Sequence, residues 1–582
     1  MADLTAAEPP ARPVATARIL RVAGPLVELE NVGGIAMNDL VLLGAERVPA
    51  EVVAITTSRV TVQAYEYTGG LAPGRHGFPL GAPVCARLSP GLLGGVFDGL
   101  LRPLTDFGDR LAPGTGTDEP PARRWAFDAA VVKGQEVDEG TVIGEAGNPG
   151  GPRTRILVPP GCTGEVTYVA ASAEHPEDTV LAVVGGTEIR SVTDWPVRRP
   201  RPVRERVPAR APLTTGQRVI DLLFPVARGS TVAVPGGFGT GKTLLLQQIA
   251  KWCDADVIVY IGCGERGNEM ADVITEFAEL TDPRTGGRLA DRTVIIANTS
   301  NMPMMARETS IHTGATVAEY FRDMGHDVVV IADSTSRWAE ALREFASRTG
   351  ELPAEEGYPA GLASALAAFY ERAGAVTTLG AGPGSVTVLG AVSPPGGDLA
   401  EPVTAHTERC VRGRWTLDRD LAYARHYPAV SWSHSFSRDT DVLGTGRDGQ
   451  ETAGRRAAVA ELLAAADRLA DLVELVGVGA LPAPERVSVL AGRLIREGLL
   501  QQSALSPNDA HCTPAKTAAL ADAVLAVIER CRSLVASGTP PDVVEQADFT
   551  ALLRAREEAG PGDAATVLAA RDTVLAVLGE LR

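Results

Sequence analysis

The sequence of 582 residues predicts a multidomain protein that runs from an N-terminal β-barrel through an inserted β-rich domain to an α/β domain and a C-terminal helix bundle. Three changes of pattern along the chain predict this order. Short β-rich stretches broken by Gly and Pro come before residue 198, continuous apolar runs alternate with helical segments over 213–437, and Ala- and Leu-rich segments follow 438. A chain of this length is too long for one core, so several domains are expected.

Composition and charge argue against several classes of protein. The net charge is −17, which argues against binding to nucleic acid or to an anionic membrane. No apolar run reaches the roughly 18 residues that span a bilayer, so we expect any link to a membrane to pass through partner subunits. The seven cysteines are scattered and lack paired metal-ligand spacing, which favours a reducing cytoplasm. Residues 1–14 predict a disordered arm and not a signal peptide.

Residues 15–88 predict a small β-barrel, and residues 89–109 predict a connector. The stretch 60–65 alternates with a period of two, as a half-buried strand does. Gly and Pro divide the region into short strands, a pattern typical of barrels. The connector is apolar with little polar interruption over 89–104, and we expect it to pack on the main body.

Residues 110–197 predict an inserted β-rich bulge domain, opened by a Gly-, Pro- and Asp-rich linker at 112–121. Its strings 132–144 and 158–166 resemble the half-barrels of lipoyl and biotinyl carriers. Those carriers present a modified lysine on a hairpin, and no matching lysine lies between the two strings, so we interpret the domain as structural. A linker is predicted at 198–212, where six arginines make either a nucleic-acid patch or, more often between domains, a solvated linker.

Residues 213–437 predict the α/β domain. Its apolar runs are continuous, as in strands buried on both faces, and lie at 231–234, 257–261, 294–297, 328–332 and 386–389. Segments with helical spacing lie at 269–280, 315–324 and 361–374. Together they predict a mostly parallel sheet covered by helices. Residues 438–582 predict a helical domain, with segments near 451–476, 484–501, 514–534 and 564–581.

A glycine-rich turn lies between the strand at 231–234 and a helix predicted over 244–252. Its spacing, G-x-x-x-x-G-K-T, is specific for a phosphate-binding P-loop, in which the N–H groups of a helix N-terminus point at an anion. In such a loop Lys242 contacts the β- and γ-phosphates and the Thr243 hydroxyl holds Mg²⁺. The residues of the loop are Gly236, Gly237, Phe238, Gly239, Thr240, Gly241, Lys242 and Thr243.

Two carboxylates follow predicted strands. Asp333 ends the strand at 328–332, where it either holds a water on Mg²⁺ or caps the next helix; the P-loop favours the metal role. Glu265 follows the strand that ends at 261, which places it at the carboxyl edge of a parallel sheet, where ligands bind. The residues alone leave open whether Glu265 orients a water or only forms a turn salt bridge with Arg266.

A set of strings in this sequence matches one known family. They are the P-loop, GERGNEM at 264–270, NTSNMP at 298–303, AEYFRDMG at 318–325, ADSTSRWAEALRE at 332–344, EEGYPA at 355–360, GDLAEPVT at 397–404 and RHYPA at 425–429. Together they closely resemble the catalytic A subunit of V/A-type rotary ATPases. The resemblance runs from the barrel to the bundle and implies a P-loop (RecA-like) nucleotide-binding fold for 213–437.

The resemblance implies roles for individual residues. Lys242 and Thr243 hold the phosphates and Mg²⁺, Glu265 polarises the attacking water, and Arg266 lies beside it. Asp333 supports the metal through a water. The adenine of ATP or ADP lies against an aromatic at Tyr427 and a stretch at 499–505 that includes Gln501, Gln502 and Ala504.

The resemblance also implies an assembly. Three A and three B subunits alternate in a hexamer, ATP is hydrolysed or synthesised at the A/B interface, and B supplies an arginine finger in trans. Central-stalk and peripheral-stalk subunits are further partners. The chain is expected at the cytoplasmic face of a membrane. Only the ion-translocating sector, which carries H⁺ or Na⁺, connects it to that membrane.

The sequence departs from the family in the adenine stretch. The family usually has Phe, Asn and Phe where this chain has Leu499, Ser503 and Leu505. Because an aromatic contact contributes about 0.5 to 1.5 kcal/mol beyond burial, we expect a shifted adenine affinity, while the retained Tyr427 preserves the site. Thr240 replaces a cysteine of eukaryotic relatives, so a thiol switch at this loop is not expected.

Two other functions remain as alternatives at this point. A non-catalytic nucleotide-binding subunit of the same ring lacks a usable P-loop lysine and the glutamate, and this chain has both residues. A hexameric P-loop translocase for protein or RNA lacks the long β-rich insertion, and the acidic charge argues against RNA.

Overall fold

The computed structural model describes residues 15–104, 123–148, 152–282 and 284–581. The arm predicted for 1–14 and the linker predicted for 112–121 lie outside these residues. Within the described ranges, no helix combines the length and the apolar composition that crossing a membrane requires.

The chain forms two compact units. The first unit consists of Met1–Pro208 and Ala255–Gly390, and the second unit of Ala209–Asp254 and Ala391–Arg582. The α/β domain predicted for 213–437 therefore contributes residues to both units.

The first unit begins with a closed antiparallel barrel, which confirms the predicted β-barrel. Its strands are β1 (Ala17–Ala23), β2 (Leu26–Glu30), β3 (Asp39–Leu43), β4 (Val48–Ile55), β5 (Arg59–Ala64) and β6 (His76–Pro83). They pair in the order β1–β2–β5–β4–β3–β6, and β1 also pairs with β6, so the ring has no free edge. Val60 and Val62 of β5 are fully buried, as the period-two alternation predicts.

The segment 89–104 carries the chain from the barrel to the α/β sheet of the same unit. The Ser89 hydroxyl caps the short turn Pro90–Leu92 by accepting from the Gly91 N–H at 3.3 Å. Asp98 is fully buried and accepts from the N–H groups of Leu100 and Arg102. Strand β7 (Cys85–Leu88) precedes this segment, and β8 (Val96–Phe97) lies within it and pairs in parallel with Ile295 and Ile296.

The inserted domain is built from two antiparallel four-stranded sheets. Its strands are β9 (Arg124–Ala129), β10 (Glu136–Val137), β11 (Val142–Gly147), β12 (Arg153–Leu157), β13 (Gly164–Val169), β14 (Ala173–Pro176), β15 (Val180–Val184) and β16 (Thr187–Arg190). The sheet orders are β10–β13–β15–β16 and β12–β11–β9–β14. One apolar cluster, with Phe127 and Val166 among its members, draws residues from both sheets. The predicted β-rich insertion is therefore confirmed.

The arginine-rich run is exposed in part and ion-paired in part. Arg204, Arg206 and Arg210 are exposed. Arg198 donates to Glu51 and Glu308, and buried Arg201 donates to Asp323 at 2.7 Å. The sequence did not predict these ion pairs, because charge patterning along the chain carries no information on distant partners. This part of the chain adds strands β17 (Thr193–Pro196) and β18 (Glu205–Val207).

The segment 209–254 belongs to the second unit and places the glycine-rich turn between a strand and a helix. Its elements are β19 (Pro212–Leu213), α1 (Arg218–Leu223), β20 (Val226–Ala227), β21 (Thr231–Pro235) and α2 (Lys242–Trp252). All five residues of β21 are buried. The order predicted around the P-loop is therefore present.

The segment 255–390 returns to the first unit. Its elements are β22 (Val257–Glu265), α3 (Gly267–Glu279), β23 (Thr293–Thr299), α4 (Met304–Asp323), β24 (Asp327–Asp333), α5 (Thr335–Thr349), α6 (Leu362–Tyr370), β25 (Gly374–Thr377) and β26 (Pro383–Val392). Four of these strands and β8 form a parallel sheet in the order β26–β24–β22–β23–β8. The last two residues of β26 belong to the second unit. Helix α4 starts eleven residues before the predicted 315, because its polar residues Thr309, Ser310 and Thr313 are buried and leave no amphipathic stripe.

The segment 391–582 completes the second unit. Strand β27 (Gly413–Arg414) pairs in parallel with β21 and antiparallel with β28 (Phe436–Ser437). The helices are α7 (Pro402–Cys410), α8 (Arg419–Tyr423), α9 (Thr440–Leu443), α10 (Gly446–Val476), α11 (Ala483–Ile495), α12 (Pro514–Ala536), α13 (Pro541–Glu545), α14 (Thr550–Glu558) and α15 (Ala564–Gly579). The helical C-terminal region is confirmed.

One predicted helix is only partly α-helical. The pattern predicted a helix over 484–501, but α11 ends at Ile495 and a π-helical turn covers Arg496–Leu500. The Gln501 N–H donates to the Arg496 carbonyl at 2.9 Å, which closes this wider turn. Over five residues the apolar spacing does not distinguish the two helix types.

Candidate nucleotide-binding and catalytic sites

The phosphate loop, residues 236–243, lies in the second unit between β21 and α2. Gly239 and Gly241 have φ angles of +78° and +87°, a region that residues with a Cβ rarely adopt. A Cβ on Gly236 would lie 2.7 Å from Thr240 Oγ1 and 2.8 Å from Leu417 Cβ. Glycine is therefore required at 239 and 241 by the backbone conformation and at 236 by the close packing of Thr240 and Leu417.

Lys242 is the first residue of α2, and its ammonium lies against the loop. Lys242 Nζ donates to the carbonyls of Gly236 at 2.5 Å and Gly237 at 3.1 Å, and Thr240 Oγ1 donates to the Gly237 carbonyl at 2.8 Å. Gly241, which caps α2, has no side chain to accept from the first-turn N–H groups. A helix N-terminus with a lysine beside it is suited to bind an anion such as a phosphate group. Phe238 at the tip of the loop is 92% exposed.

A pocket adjoins the phosphate loop within the second unit. The Tyr427 ring forms one wall, 3.7 Å from where a Cβ on Gly241 would lie, and Ala504 contributes to another wall. Its lining mixes apolar side chains with several amide and hydroxyl groups, as ligand pockets commonly do. The lining residues are Gln217, Thr240, Gly241, Leu244, Leu245, Gln248, Leu417, Tyr427, Pro428, Ala429, Gln502 and Ala504.

The two predicted glutamines differ in their surroundings. Gln502 lines the pocket, but its amide is engaged with the protein: Oε1 accepts from the Arg218 N–H and Nε2 donates to the Gly216 carbonyl, both at 2.9 Å. Gln501 is not among the lining residues, and its Nε2 lies 3.5 Å from the Arg425 carbonyl. The structure therefore brings Tyr427, Gln502 and Ala504 to the pocket and leaves Gln501 outside its lining.

The three residues that depart from the family pattern do not line the pocket. Leu499 is fully buried in the protein interior, and Leu505 is 95% exposed. The Ser503 N–H donates to Asp509 at 2.8 Å. The expectation of a shifted adenine affinity remains a prediction, and this placement favours an indirect effect over a lost stacking contact.

The carboxylate edge, Glu265 and Asp333, lies in the first unit. Glu265 is the last residue of β22 and Asp333 is the last residue of the neighbouring parallel strand β24. Asp333 is buried and accepts from the Tyr260 hydroxyl at 3.3 Å. Both therefore occupy the carboxyl ends of adjacent strands, the position predicted from the sequence.

Burial, followed by the negative charges of Asp333 and Glu269, raises the pKa of Glu265 to about 8. Arg337 opposes this rise in pKa. Proton affinity near neutrality is a property that suits a carboxylate for proton transfer. Sequence reasoning missed Tyr260 and Glu269 as neighbours of this edge, because a tyrosine in a buried strand and a glutamate in a helix carry no distinguishing signal.

Arg266 is exposed and makes one long contact, although its predicted role placed it beside Glu265. It precedes α3 directly, its side chain is 67% exposed, and its Nε lies 4.0 Å from Glu269 Oε1. The pair that the structure forms is therefore Arg266 with Glu269, and not the turn salt bridge with Glu265 considered from the sequence.

The donor types present fit Mg²⁺ bound together with a nucleotide. Among the described residues, no group of three or more His, Cys, Asp and Glu side chains could hold a metal ion. Mg²⁺ commonly keeps several waters and takes one or two protein oxygens together with substrate phosphates. The hydroxyl of Thr243, the second residue of α2, is an oxygen donor of this kind.

The phosphate loop, its adjoining pocket and the carboxylates at strand ends define a P-loop nucleotide-binding protein. Family models match four successive stretches of the chain. They are the ATP synthase alpha/beta family nucleotide-binding domain at 216–437, the beta-barrel domain at 19–76, the barrel-sandwich domain at 120–198, and the C-terminal domain of V and A type ATP synthase at 442–537.

Similar proteins identify the branch of this family. The chain is 50% identical over 530 residues to a V-type ATP synthase alpha chain of Anaeromyxobacter dehalogenans, covering 90% of this chain and 92% of the relative. It is 46% identical over 550 residues to the corresponding A-type ATP synthase chain of Methanopyrus kandleri, covering 91% and 92%. The chain belongs to the family of V- and A-type ATP synthase catalytic alpha chains, also called A subunits, and the resemblance seen in its sequence is confirmed.

A solved structure shows the same fold at greater distance. The assembled ATPase EscN from the type III secretion system of enteropathogenic E. coli superimposes with a TM-score of 0.64 at 22% identity, covering 88% of this chain and 100% of EscN. At that identity the likeness concerns the fold alone.

Proposed function

We propose that this chain is the catalytic subunit of a rotary V/A-type ATPase, which hydrolyses or synthesises ATP at an interface with a B subunit, coupled to H⁺ or Na⁺ transport. The observation that carries the proposal is Glu265 at the end of β22, beside the strand that ends at Asp333. A ring subunit that does not catalyse hydrolysis has no use for a carboxylate at this edge.

Lys242, Glu265, Arg266, Tyr427 and Ala504 have separate roles in this proposal. Lys242 binds the β- and γ-phosphates, since its ammonium already lies against the loop carbonyls. Glu265 accepts a hydrogen bond from the attacking water and orients it. Tyr427 and Ala504 hold the adenine in the apolar pocket. Arg266 acts near Glu265 once a partner subunit orders its exposed side chain.

Thr243 and Asp333 are the residues that would hold Mg²⁺, Asp333 through a water. The metal ion supplies positive charge that offsets charge on the phosphate oxygens. The burial of Asp333 and its contact with the Tyr260 hydroxyl fix the carboxylate in one orientation, as a residue that supports bound water requires.

The partners follow from the family. We infer an A3B3 hexamer in which B supplies an arginine finger in trans, with central-stalk and peripheral-stalk subunits attached. The chain then acts at the cytoplasmic face of a membrane, which it reaches only through the ion-translocating sector, and it binds no nucleic acid. Its net charge of −17 supports the last point.

The relatives also bear on the translocase alternative. The secretion ATPase shares the fold at 22% identity, whereas the two ATP synthase chains share 50% and 46% identity over nine-tenths of this chain. The match of residues 120–198 to an ATP synthase barrel-sandwich domain favours the rotary function further.

Reconstitution with the B partner tests the proposal. Because an arginine finger contributes about 10³- to 10⁵-fold to turnover, we expect little ATPase activity from the chain alone and strong activity from an equimolar mixture with B. A mixture that is no more active than the chain alone would contradict the catalytic role at an A/B interface. Strong activity without B would favour a translocase that forms its own hexamer.

A further inference from the structure

A buried arginine on α1, Arg218, contacts the chain segment that carries Gln502 and Ala504 of the pocket lining. The Arg218 side chain is fully buried, and its guanidinium donates to three different groups. Nε donates to the Leu499 carbonyl at 2.7 Å, Nη2 to the Gln501 carbonyl at 2.5 Å, and Nη1 to Asp509 Oδ1 at 2.6 Å. Two of these acceptors belong to the pocket segment, residues 499–504.

Asp509 ties the same segment from the other side. Its Oδ2 accepts from the Ser503 N–H at 2.8 Å and from Arg556 Nη1 at 2.9 Å, while Oδ1 accepts from Arg218. The Asp509 carboxylate is itself fully buried. Ser503 immediately precedes Ala504, which lines the pocket.

Gln502 connects the pocket segment to the aromatic wall. Its side-chain Oε1 accepts from the Arg218 N–H, and its Nε2 donates to the Gly216 carbonyl, both at 2.9 Å. Its own N–H donates to the Tyr427 carbonyl at 2.7 Å. The backbone that carries Tyr427 and the backbone that carries Ala504 are therefore held together through Gln502. The main chain of Arg218 binds the Gln502 side chain, while the Arg218 guanidinium binds the carbonyl of the preceding residue, Gln501.

We propose that Arg218 is the positioning residue for the base-binding wall of the nucleotide pocket. Its guanidinium holds the Leu499 and Gln501 carbonyls directly and the Ser503 N–H through Asp509. The pocket segment, whose Gln502 N–H contacts the Tyr427 carbonyl, is thereby held in one arrangement before a nucleotide enters. Preordering reduces the conformational entropy lost on binding and so tightens affinity. The inference rests on the proposed function, because it concerns the same nucleotide site.

The chemistry of the side chain explains why an arginine stands here. A guanidinium presents several donors in a rigid plane, so it can hold two carbonyls and a carboxylate at once, whereas a lysine ammonium is a single point of charge. Burying such a charge is costly, and a packed apolar side chain often stabilises a fold equally well. We therefore infer that the arginine specifies the position of the pocket segment and is not present for stability alone.

The test compares two ligands on the full-length chain in the presence of Mg²⁺. Calorimetric titration gives the Kd of ADP, which uses both the phosphate loop and the base pocket, and the Kd of tripolyphosphate, which has no base. In Arg218→Met we expect the Kd of ADP to rise at least about tenfold, since several charge-assisted hydrogen bonds are lost, and that of tripolyphosphate to stay within about twofold. Asp509 keeps Arg556 and the Ser503 N–H as partners in this variant, so the fold should survive.

Two further variants separate positioning from general destabilisation. Arg218→Lys keeps the charge beside Asp509 but loses the planar fork, and we expect an intermediate Kd for ADP. Arg486→Met removes a comparable arginine, paired with Glu545 at 2.5 Å between α11 and α13 and remote from the pocket lining, and we expect neither Kd to change.

The outcomes are distinguishable. An unchanged ADP affinity in Arg218→Met, or equal weakening for ADP and tripolyphosphate in both Arg218 variants, overturns the positioning role. A wild-type chain that binds ADP no more tightly than tripolyphosphate overturns the assigned base pocket, and with it the proposed nucleotide site.

Discussion

The carboxylate edge of the first unit and the nucleotide pocket of the second unit have opposite electrostatic character. At the edge, burial and then the charges of Asp333 and Glu269 raise the pKa of Glu265 to about 8. Near the pocket, burial and then the charges of Arg496 and Arg556 lower the pKa of His426, the neighbour of Tyr427, to about 4. Burial opposes the charged form in both places, and like charges add to it.

The difference shows how each region is suited to its task. The edge concentrates negative charge, which raises the proton affinity of Glu265, the residue proposed to orient the attacking water. Beside the pocket proposed to hold the base, the Arg218 guanidinium binds the carbonyls of Leu499 and Gln501. Substitutions in the first region should therefore change turnover, and substitutions in the second should change affinity.

The largest expected effect lies at the carboxylate edge. Glu265→Gln keeps the shape of the side chain and removes its capacity to accept a proton, so turnover of the assembly with B should fall about 10²- to 10⁴-fold. Steady-state ATP hydrolysis measures it. The control is Glu188→Gln, an exposed carboxylate of the inserted domain, which should not change turnover. A Glu265→Gln enzyme with near-normal turnover would remove Glu265 from the chemistry.

The next largest effect lies in the phosphate loop. Lys242→Ala deletes a charged donor at the start of α2, and we expect the Kd of tripolyphosphate to rise about 10- to 100-fold. Lys133→Ala, an exposed lysine of the inserted domain, serves as the control for a lost positive charge. If both variants bind tripolyphosphate equally well, Lys242 does not contact the phosphates.

A smaller effect is expected at the aromatic wall. Tyr427→Ala removes a ring from the pocket and should weaken ADP binding by about 0.5 to 1.5 kcal/mol, while tripolyphosphate binding stays unchanged. Tyr427→Phe keeps the ring and should bind ADP as the wild type does. Calorimetry on the three proteins measures this; equal losses in the Ala and Phe variants would assign the effect to the hydroxyl and not to stacking.

The smallest effect concerns pH and stability. The pKa of His426 is about 4 in the folded chain against about 6.5 when unfolded, so the unfolded state binds more protons between these values. Stability contributed by neutral His426 is therefore present above pH 6.5 and is lost as the pH falls toward 4. Between pH 7 and pH 5, His426→Gln should lose less unfolding free energy than the wild type, by under about 1 kcal/mol because the ring is partly exposed. Urea unfolding at both pH values measures the difference, and identical losses would mean that His426 titrates normally.

The sequence predicts those parts of both regions that depend on local patterns. The phosphate loop follows from glycine spacing, and the positions of Glu265 and Asp333 follow from the ends of apolar runs, since parallel strands bring their carboxyl ends to one edge. Arg218 was not found, because its partner Asp509 lies 291 residues along the chain. The ion pair between Arg198 and Glu308 was not found for the same reason, since the two residues lie 110 positions apart.

The sequence pattern also missed two helix boundaries, and the reasons are local. The N-terminal half of α4 was not predicted, because buried Thr and Ser residues replace an apolar stripe. The π-helical turn Arg496–Leu500 includes the first two residues of the pocket segment, and its wider spacing turns them to a face that differs from that of a continuous α-helix. The domain boundaries and the individual site roles remain predictions.

The most direct test of the division between binding and chemistry is the ATP affinity of Glu265→Gln in the assembly with B. The Kd for ATP in the presence of Mg²⁺, measured on the preparation used for turnover, should match that of the wild type within about twofold. The account would be contradicted if the Kd of ATP rose by the same factor by which turnover fell. Glu265 would then contribute to ATP binding and not to the chemical step.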